Sequence, residues 1–237
     1  MPGHCAELLR EREQTVDFTA RALPLPRALL RSRPRATGLG FGVSSLHEGP
    51  PPAVREAERD LSRAMPPRRR ADFLIGRCAL HRALRDAGLS AGPVLREGPR
   101  PRLPAGIRAS LSHSDGIAVA VAGPADRFPV LGVDLELTGI PLRAAHLVLG
   151  PTEAPELLHA ADASPEQCLL AAYSAKEAAF KALSPLAGDA LPGLRAILLR
   201  PYPGGYLATA AARPGQQLRV TLRWLPRGVL TWAVPRD

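Results

Sequence analysis

Between Pro165 and Leu183 the chain carries a helical pattern with no side fit for water. At about 100° per residue, Leu169, Tyr173, Phe180 and Leu183 form one apolar stripe, and Ala171, Ala175, Ala178 and Ala182 form the opposite face. A helix apolar all round is a buried helix. The rest of the chain must therefore wrap it. Its start is a capping box, with Ser164 at the N-cap, Pro165 at N1 and Gln167 at N3. Its end is expected before Ser184-Pro185. Lys176 falls inside the stripe, and Glu177 and Lys181 lie at its edge, one turn apart. Charges on a buried helix are unfavourable unless paired or coordinated. Two readings follow: an internal Glu177–Lys181 ion pair, or a carboxylate for a metal and an ammonium for a phosphate.

Composition sharpens this. The chain holds 31 basic residues, of which 29 are Arg and 2 are Lys, namely Lys176 and Lys181. In such a chain a lysine is an exception. It suggests that a compact, strongly hydrated ammonium is needed where a planar guanidinium will not serve. The 237 residues, 46% hydrophobic and 22% charged, exclude wholesale disorder. No apolar run approaches the ~18–20 residues of a membrane-spanning helix. Glu7 and Arg10, with no apolar stretch near them, argue against a secretory signal. Cys5, Cys78 and Cys168 have neither disulfide-framework nor zinc-ligand spacing, and the expected location is the reducing cytoplasm. The net charge of +9 predicts anionic partners.

Along the chain, residues 1–37 read as a loosely structured Arg/Pro-rich arm holding one short helix. An N-terminal half, 38–125, and a C-terminal half, 126–237, follow. Strands are expected near 40–46, 107–112, 117–122, 130–137, 194–199, 206–210, 218–224 and 229–234. The Gly49–Pro52 run reads as a break. Ile117–Ala122 is apolar throughout, as a strand buried on both faces would be. A short, charged helix is expected over 53–64 and a stronger one over about 68–87, with Phe73, Ile75, Cys78, Leu80 and Leu84 as its apolar positions, and 141–162 reads as helix and loop. The fold class is α+β with two similar halves.

Three segments carry chemistry. In Gly132-Val133-Asp134-Leu135-Glu136-Leu137, a strand puts Asp134 and Glu136 on one face. That face is either solvated or a site for Mg²⁺, which takes one or two carboxylates plus phosphate oxygens and water. Ser110-Leu111-Ser112-His113-Ser114-Asp115-Gly116 reads as a loop in which His113 binds an anion or acts as a base. A structural turn is the alternative. With no Gly-x-Ser-x-Gly elbow, hydrolase chemistry ranks below both. Arg68, Arg69, Arg70 and Arg77, and then Arg96, Arg100 and Arg102 about Pro101, form two basic clusters that suit phosphate oxygens or a solvated surface. Together these residues describe a magnesium-assisted site for a multiply phosphorylated ligand.

The order of segments resembles the 4′-phosphopantetheinyl transferase family. The segments are Arg-Arg-x6-Gly-Arg, Gly-x-Arg-Pro, Ser-x-Ser-His-Ser, Gly-Val-Asp-x-Glu and Ser-Ala-Lys-Glu-Ala-x-x-Lys-Ala, over about residues 40–237. The likeness is to its larger monomeric type, and within it to the enterobactin-synthase-component-D-like branch. The resemblance implies two pseudo-symmetric α/β halves, each a small antiparallel-rich sheet on a long helix. It implies transfer of phosphopantetheine from coenzyme A to a serine of an acidic acyl or peptidyl carrier protein, releasing 3′,5′-ADP, with no nucleic acid or membrane partner. Asp134, Glu136 and Glu177 would hold Mg²⁺ or Mn²⁺. Lys181 would contact the diphosphate, and Lys176 occupies the family's helix-lysine position. Asp134, Glu177 and Lys181 are the implied catalytic residues, and the base is Glu177 or a water on the metal. Arg69, Arg77 and His113 would grip the 3′-phosphate and adenosine end. Arg100 and Pro101 would line the nucleotide pocket, with Ser112 beside it. The branch's Trp-Pro is Leu103-Pro104 here. The rival readings are a basic nucleic-acid-binding module and an inactive coenzyme A binder.

Overall fold

Each of the two long helices is drawn onto a strand at glycine and alanine, and those contacts set the architecture. The structure is a computed structural model describing residues 25–48, 53–98, 100–159, 163–187, 191–211 and 213–236. Most of the expected arm and the Gly49–Pro52 break lie outside the described residues. In chain order the main elements are α1 (Leu25–Arg31), β1 (Gly40–Ser45), α2 (Glu56–Arg63), α3 (Pro67–Asp86), β2 (Arg96–Glu97), β3 (Arg100–Pro101), β4 (Ile107–Ser114), β5 (Ile117–Pro124), β6 (Gly132–Glu136), α4 (Ala145–Val148), α5 (Ala154–Leu158), α6 (Pro165–Ala187), β7 (Ile197–Tyr202), β8 (Gly205–Ala210), β9 (Arg213–Trp224) and β10 (Val229–Pro235). This is the expected α+β class. One antiparallel sheet runs β1-β5-β4, a second runs β6-β10-β9-β8-β7, and β2-β3 is a small hairpin.

Side-chain alternation assigns each face a partner. On β5, Ala118, Ala120 and Ala122 share a core with Ile75, Ala79, Leu80 and Ala83 of α3. Its alternate residues Ile117, Val119 and Val121 share a second core with Val133 and Leu135 of β6 and Leu230 and Trp232 of β10. The second sheet packs its other face on α6, whose Leu169, Ala175, Ala179 and Leu183 meet Ile197, Tyr206, Leu218 and Val220. The layers are helix, sheet, sheet, helix. A Cβ at Gly40 or Gly42 of β1 would collide with the carbonyls of Ala83 and Ala79. A Cβ at Gly132 of β6 would collide with that of Ala178.

The two sheets are also stitched at their edges. Ser110 accepts from the Val133 N–H at 3.1 Å, and Ser114 accepts from the Leu137 N–H at 3.2 Å. Between them Ser112 reaches Asp134. Strand β4 pairs with β5 over all eight of its residues, so His113 sits on a strand, not in a loop. The turn is Asp115-Gly116, both at positive φ (48° and 73°), the geometry of a tight two-residue hairpin. Helix α6 runs to Ala187, past the expected stop, with Pro185 inside its last turn.

Lys176, at the family's helix-lysine position, meets an acidic partner inside the fold. Its side chain is wholly buried, and Nζ donates to the Val148 carbonyl at 3.0 Å and to Glu153 Oε2 at 2.7 Å. Glu153 also accepts from the Gly150 and Leu199 N–H groups. Burial holds the ammonium pKa below its ordinary value, against the pull of Glu153. Lys176 thus fastens α6 to the 148–153 segment and to β7.

Both features predict stability effects. Gly132→Ala is expected to destabilise by about 3 kcal/mol through overpacking. Lys176→Met, which strands the Glu153 carboxylate, is expected to destabilise by about 3 kcal/mol or more. Urea unfolding measures both, and a loss under about 1 kcal/mol in either would contradict the corresponding packing argument.

Candidate active site

The period of a strand and the period of a helix meet at Asp134. On β6, Val133 and Leu135 enter the core between the sheets, so Gly132, Asp134 and Glu136 face α6. On α6, Ser174, Glu177 and Lys181 fall at i, i+3 and i+7, along one face. Asp134 is 2% exposed. Its Oδ1 accepts from Ser112 Oγ at 2.9 Å and from Lys181 Nζ at 2.7 Å. Its Oδ2 accepts from Ser174 Oγ at 2.8 Å. Lys181 Nζ also donates to Ser112 Oγ at 3.0 Å and to the Val133 carbonyl at 3.2 Å. Thr231, the register partner of Asp134, donates to the Ser174 carbonyl at 2.9 Å and anchors that serine. The ion pair on this face joins Lys181 to Asp134, not to Glu177.

One ammonium serves a site with three carboxylates. Burial pushes Glu136 up to about 7, with Asp134 and Glu177 adding to the rise and Lys181 opposing it. Glu177 is also raised, by burial first and then by Asp134, against Lys181. The Tyr173 phenol is pushed up to about 12 by burial and by the same three carboxylates. Among the described residues no three His, Cys, Asp or Glu side chains stand close enough to hold a metal ion unaided. The donors are all oxygen, and they repel one another. That chemistry fits a hard divalent cation whose remaining ligands come from substrate oxygens and water.

The cluster abuts a cavity of about 1060 Å³ between α3, β4, the β2-β3 hairpin and the end of α6. Arg69, Arg77, Arg100, Pro101 and His113 line it, and so do Glu177 and Lys181. Five of the expected nucleotide-side residues and two of the expected catalytic ones therefore share one space. Ser112 is not among the lining residues but lies beside them, within the Asp134–Lys181 cluster that abuts the cavity. Arg77 lines the cavity, but its Nε and Nη2 donate to the Val94 and Leu95 carbonyls at 2.7 and 3.1 Å. Its guanidinium lies 4.5 Å from the Phe73 ring centroid. Burial lowers its pKa to about 10, with Glu58 opposing and Arg96 assisting. Arg77 is thus a buried brace as well as a wall residue. Leu103, at the branch's Trp position, lines the cavity too.

Sequence reasoning missed Ser174, Thr231 and Arg108. The Ser174-x-x-Glu177-x-x-x-Lys181 spacing is the signal that would have found the first. Thr231 becomes visible only through the β6–β10 register. Arg108, a further cation on the cavity wall, gives no local signal.

Comparison with known proteins places this arrangement. The 4′-phosphopantetheinyl transferase N-terminal domain family matches residues 56–123, and the 4′-phosphopantetheinyl transferase superfamily matches residues 130–222. Enterobactin synthase component D of Salmonella typhi is 32% identical over 146 residues, 61% of this chain and 60% of the relative. The protein of the same name from Escherichia coli O157:H7 is 36% identical over 118 residues, 48% of this chain and 55% of the relative. The chain thus spans 60% or less of the length of these curated relatives. The two family matches follow one another in chain order and carry the cavity wall and the carboxylate–lysine cluster respectively, so the chain belongs to the 4′-phosphopantetheinyl transferase superfamily.

Proposed function

We propose that this protein transfers the 4′-phosphopantetheine arm of coenzyme A to a serine of an acyl or peptidyl carrier protein. The observation that carries the reading is a single cavity lined both by arginines and by Glu177 and Lys181. Coenzyme A has the complementary layout: a 3′-phosphorylated nucleotide, then a diphosphate, then a neutral arm. Residues 38–125 would supply the nucleotide end through Arg69, Arg100, Pro101 and His113, with Arg77 behind them. Residues 126–237 would supply the reacting end. Asp134, Glu136 and Glu177 would hold Mg²⁺ or Mn²⁺, which neutralises diphosphate charge when bound. Lys181, held by Asp134, Ser112 and the Val133 carbonyl, would act on the diphosphate as a point charge.

The serine oxygen bonds to the phosphorus that bears the pantetheine arm. The diphosphate P–O bond breaks, and 3′,5′-ADP leaves with the electron pair. The serine proton passes to Glu177 or to a water held beside it. Positioning and charge neutralisation supply most of such catalysis. An acidic carrier suits a chain of net charge +9. No described helix is long and apolar enough to cross a membrane. Action as a monomer in the cytoplasm completes the reading.

The direct test incubates purified protein, coenzyme A, Mg²⁺ and an apo carrier. A mass gain on the carrier equal to the arm, with matching 3′,5′-ADP release, is expected. No gain with any apo carrier would overturn the proposal. Excess chelator should abolish transfer, and restored Mg²⁺ or Mn²⁺ should return it.

The two lysines should separate under the same substitution. Lys181→Arg is expected to lose ~2.7–4 kcal/mol of transition-state stabilisation, because a forked guanidinium does not fit between Asp134, Ser112 and the Val133 carbonyl. Its thermal midpoint should move little. Lys176→Arg should cost more stability and less activity, since Lys176 sits wholly buried against Glu153. Transfer rates and thermal midpoints measured side by side decide this, and near-wild-type transfer by Lys181→Arg would mean that charge alone suffices.

A further inference from the structure

Glu58 of α2 is 0% exposed, and the chemistry above does not use it. Its Oε1 accepts from the Val94 N–H at 2.7 Å and faces His81 Nε2 at 2.9 Å. Its Oε2 accepts from the Arg55 N–H at 2.8 Å and lies 3.1 Å from the same His81 nitrogen. Burial pushes its pKa up, but His81 and the two backbone N–H groups outweigh that and hold it below the ordinary glutamate value. Glu58 is therefore kept as a carboxylate, with donors from three segments converging on it.

Val94 is gripped from both sides. Glu58 takes its N–H, and Arg77 of α3 takes its carbonyl and that of Leu95. The Leu95 carbonyl also accepts from the Arg102 N–H at 3.0 Å, closing the root of the β2-β3 hairpin. That hairpin pairs only Arg96 with Pro101 and Glu97 with Arg100. A ladder so short does not hold its own position. Yet Arg96, Arg100 and Pro101 all line the cavity. Their placement depends on the root, and the root depends on Val94 and Leu95.

We propose that Glu58 is a positioning residue: with Arg77 it clamps Val94 and so sets Arg96 and Arg100 against the phosphorylated nucleotide end of the ligand. This rests on the coenzyme A reading given above. It adds a residue two contacts away from the ligand, whose loss should appear in binding rather than in the bound complex's chemistry.

The test uses the full chain, with 3′,5′-ADP as the binding probe and coenzyme A as substrate. Glu58→Gln is expected to weaken 3′,5′-ADP binding and raise the coenzyme A KM by about tenfold, as befits one charge-assisted bond. The kcat at saturation should change by less than about twofold. A double-mutant cycle gives the readout that general destabilisation would not move. Arg100→Ala should cost much less affinity in the Glu58→Gln background than in wild type, because the arginine is already misplaced there. Unchanged affinity for 3′,5′-ADP, or full additivity with Arg100→Ala, would overturn the clamp while leaving the coenzyme A reading intact. A wild-type protein that binds neither probe would overturn both. Should Glu58→Gln not fold, His81→Leu, which removes one partner of Glu58, enters the same cycle. A smaller loss of affinity, coupled to Arg100, is then expected, and an uncoupled one refutes the clamp.

Discussion

A carboxylate 2% exposed has to be surrounded by donors, and at Asp134 those donors come from separate elements. Ser112 belongs to β4, while Ser174 and Lys181 belong to α6. Each contact has a length of about one hydrogen bond, so together they fix the offset of β4 against β6 and the rotation of α6 over both. The glycine at 132 permits that closeness, and the serines at 110 and 114 continue it along the strands. If Asp134 were apolar, the seam would lose its central bond and Lys181 its ion-pair partner. The joint between the sheets and the candidate site are one object.

Much of this was legible because buried elements leave patterns that solvent-facing ones do not. The all-round apolar character of residues 165–183 required burial, and the helix is buried. The uninterrupted Ile117–Ala122 run required cover on both faces, and β5 lies between α3 and β6. Alternation in 132–137 put Asp134 and Glu136 together. What stayed hidden was non-local. The two lysines are five residues apart, which on a helix turns them to different sides. Only the fold shows which one meets Glu153, a residue in a segment with weak periodicity. Ser112 and His113 are adjacent in sequence and alternate in strand direction, so His113 lines the cavity while Ser112 bonds Asp134 and Lys181 beside it. The β2-β3 hairpin is too short to carry any period at all.

The same comparison explains why so few lysines suffice. Lys176 is matched one to one with Glu153 and closed off from solvent. Such a pair holds a structure but has no charge to offer. Lys181 is 28% exposed at its side chain and pairs with Asp134, while Glu136 and Glu177 stand near it, pushed up chiefly by burial. The protein thus separates a saturated lysine from an unsaturated site within one and a half turns of helix.

The same cavity also gathers positive charge. Arg69, Arg77, Arg96, Arg100 and Arg108 line it as a wall, and the carboxylate–lysine cluster abuts it as a floor. A ligand carrying anionic groups toward the arginines, together with a divalent cation toward the carboxylates, satisfies both ends at once. A simple anion would satisfy the wall and worsen the floor. A cation alone would do the reverse. Under the proposed function that composite is a metal-bound diphosphate joined to a further phosphate, and the groups that would meet it are held by the Asp134 seam and by the Glu58–Val94–Arg77 root.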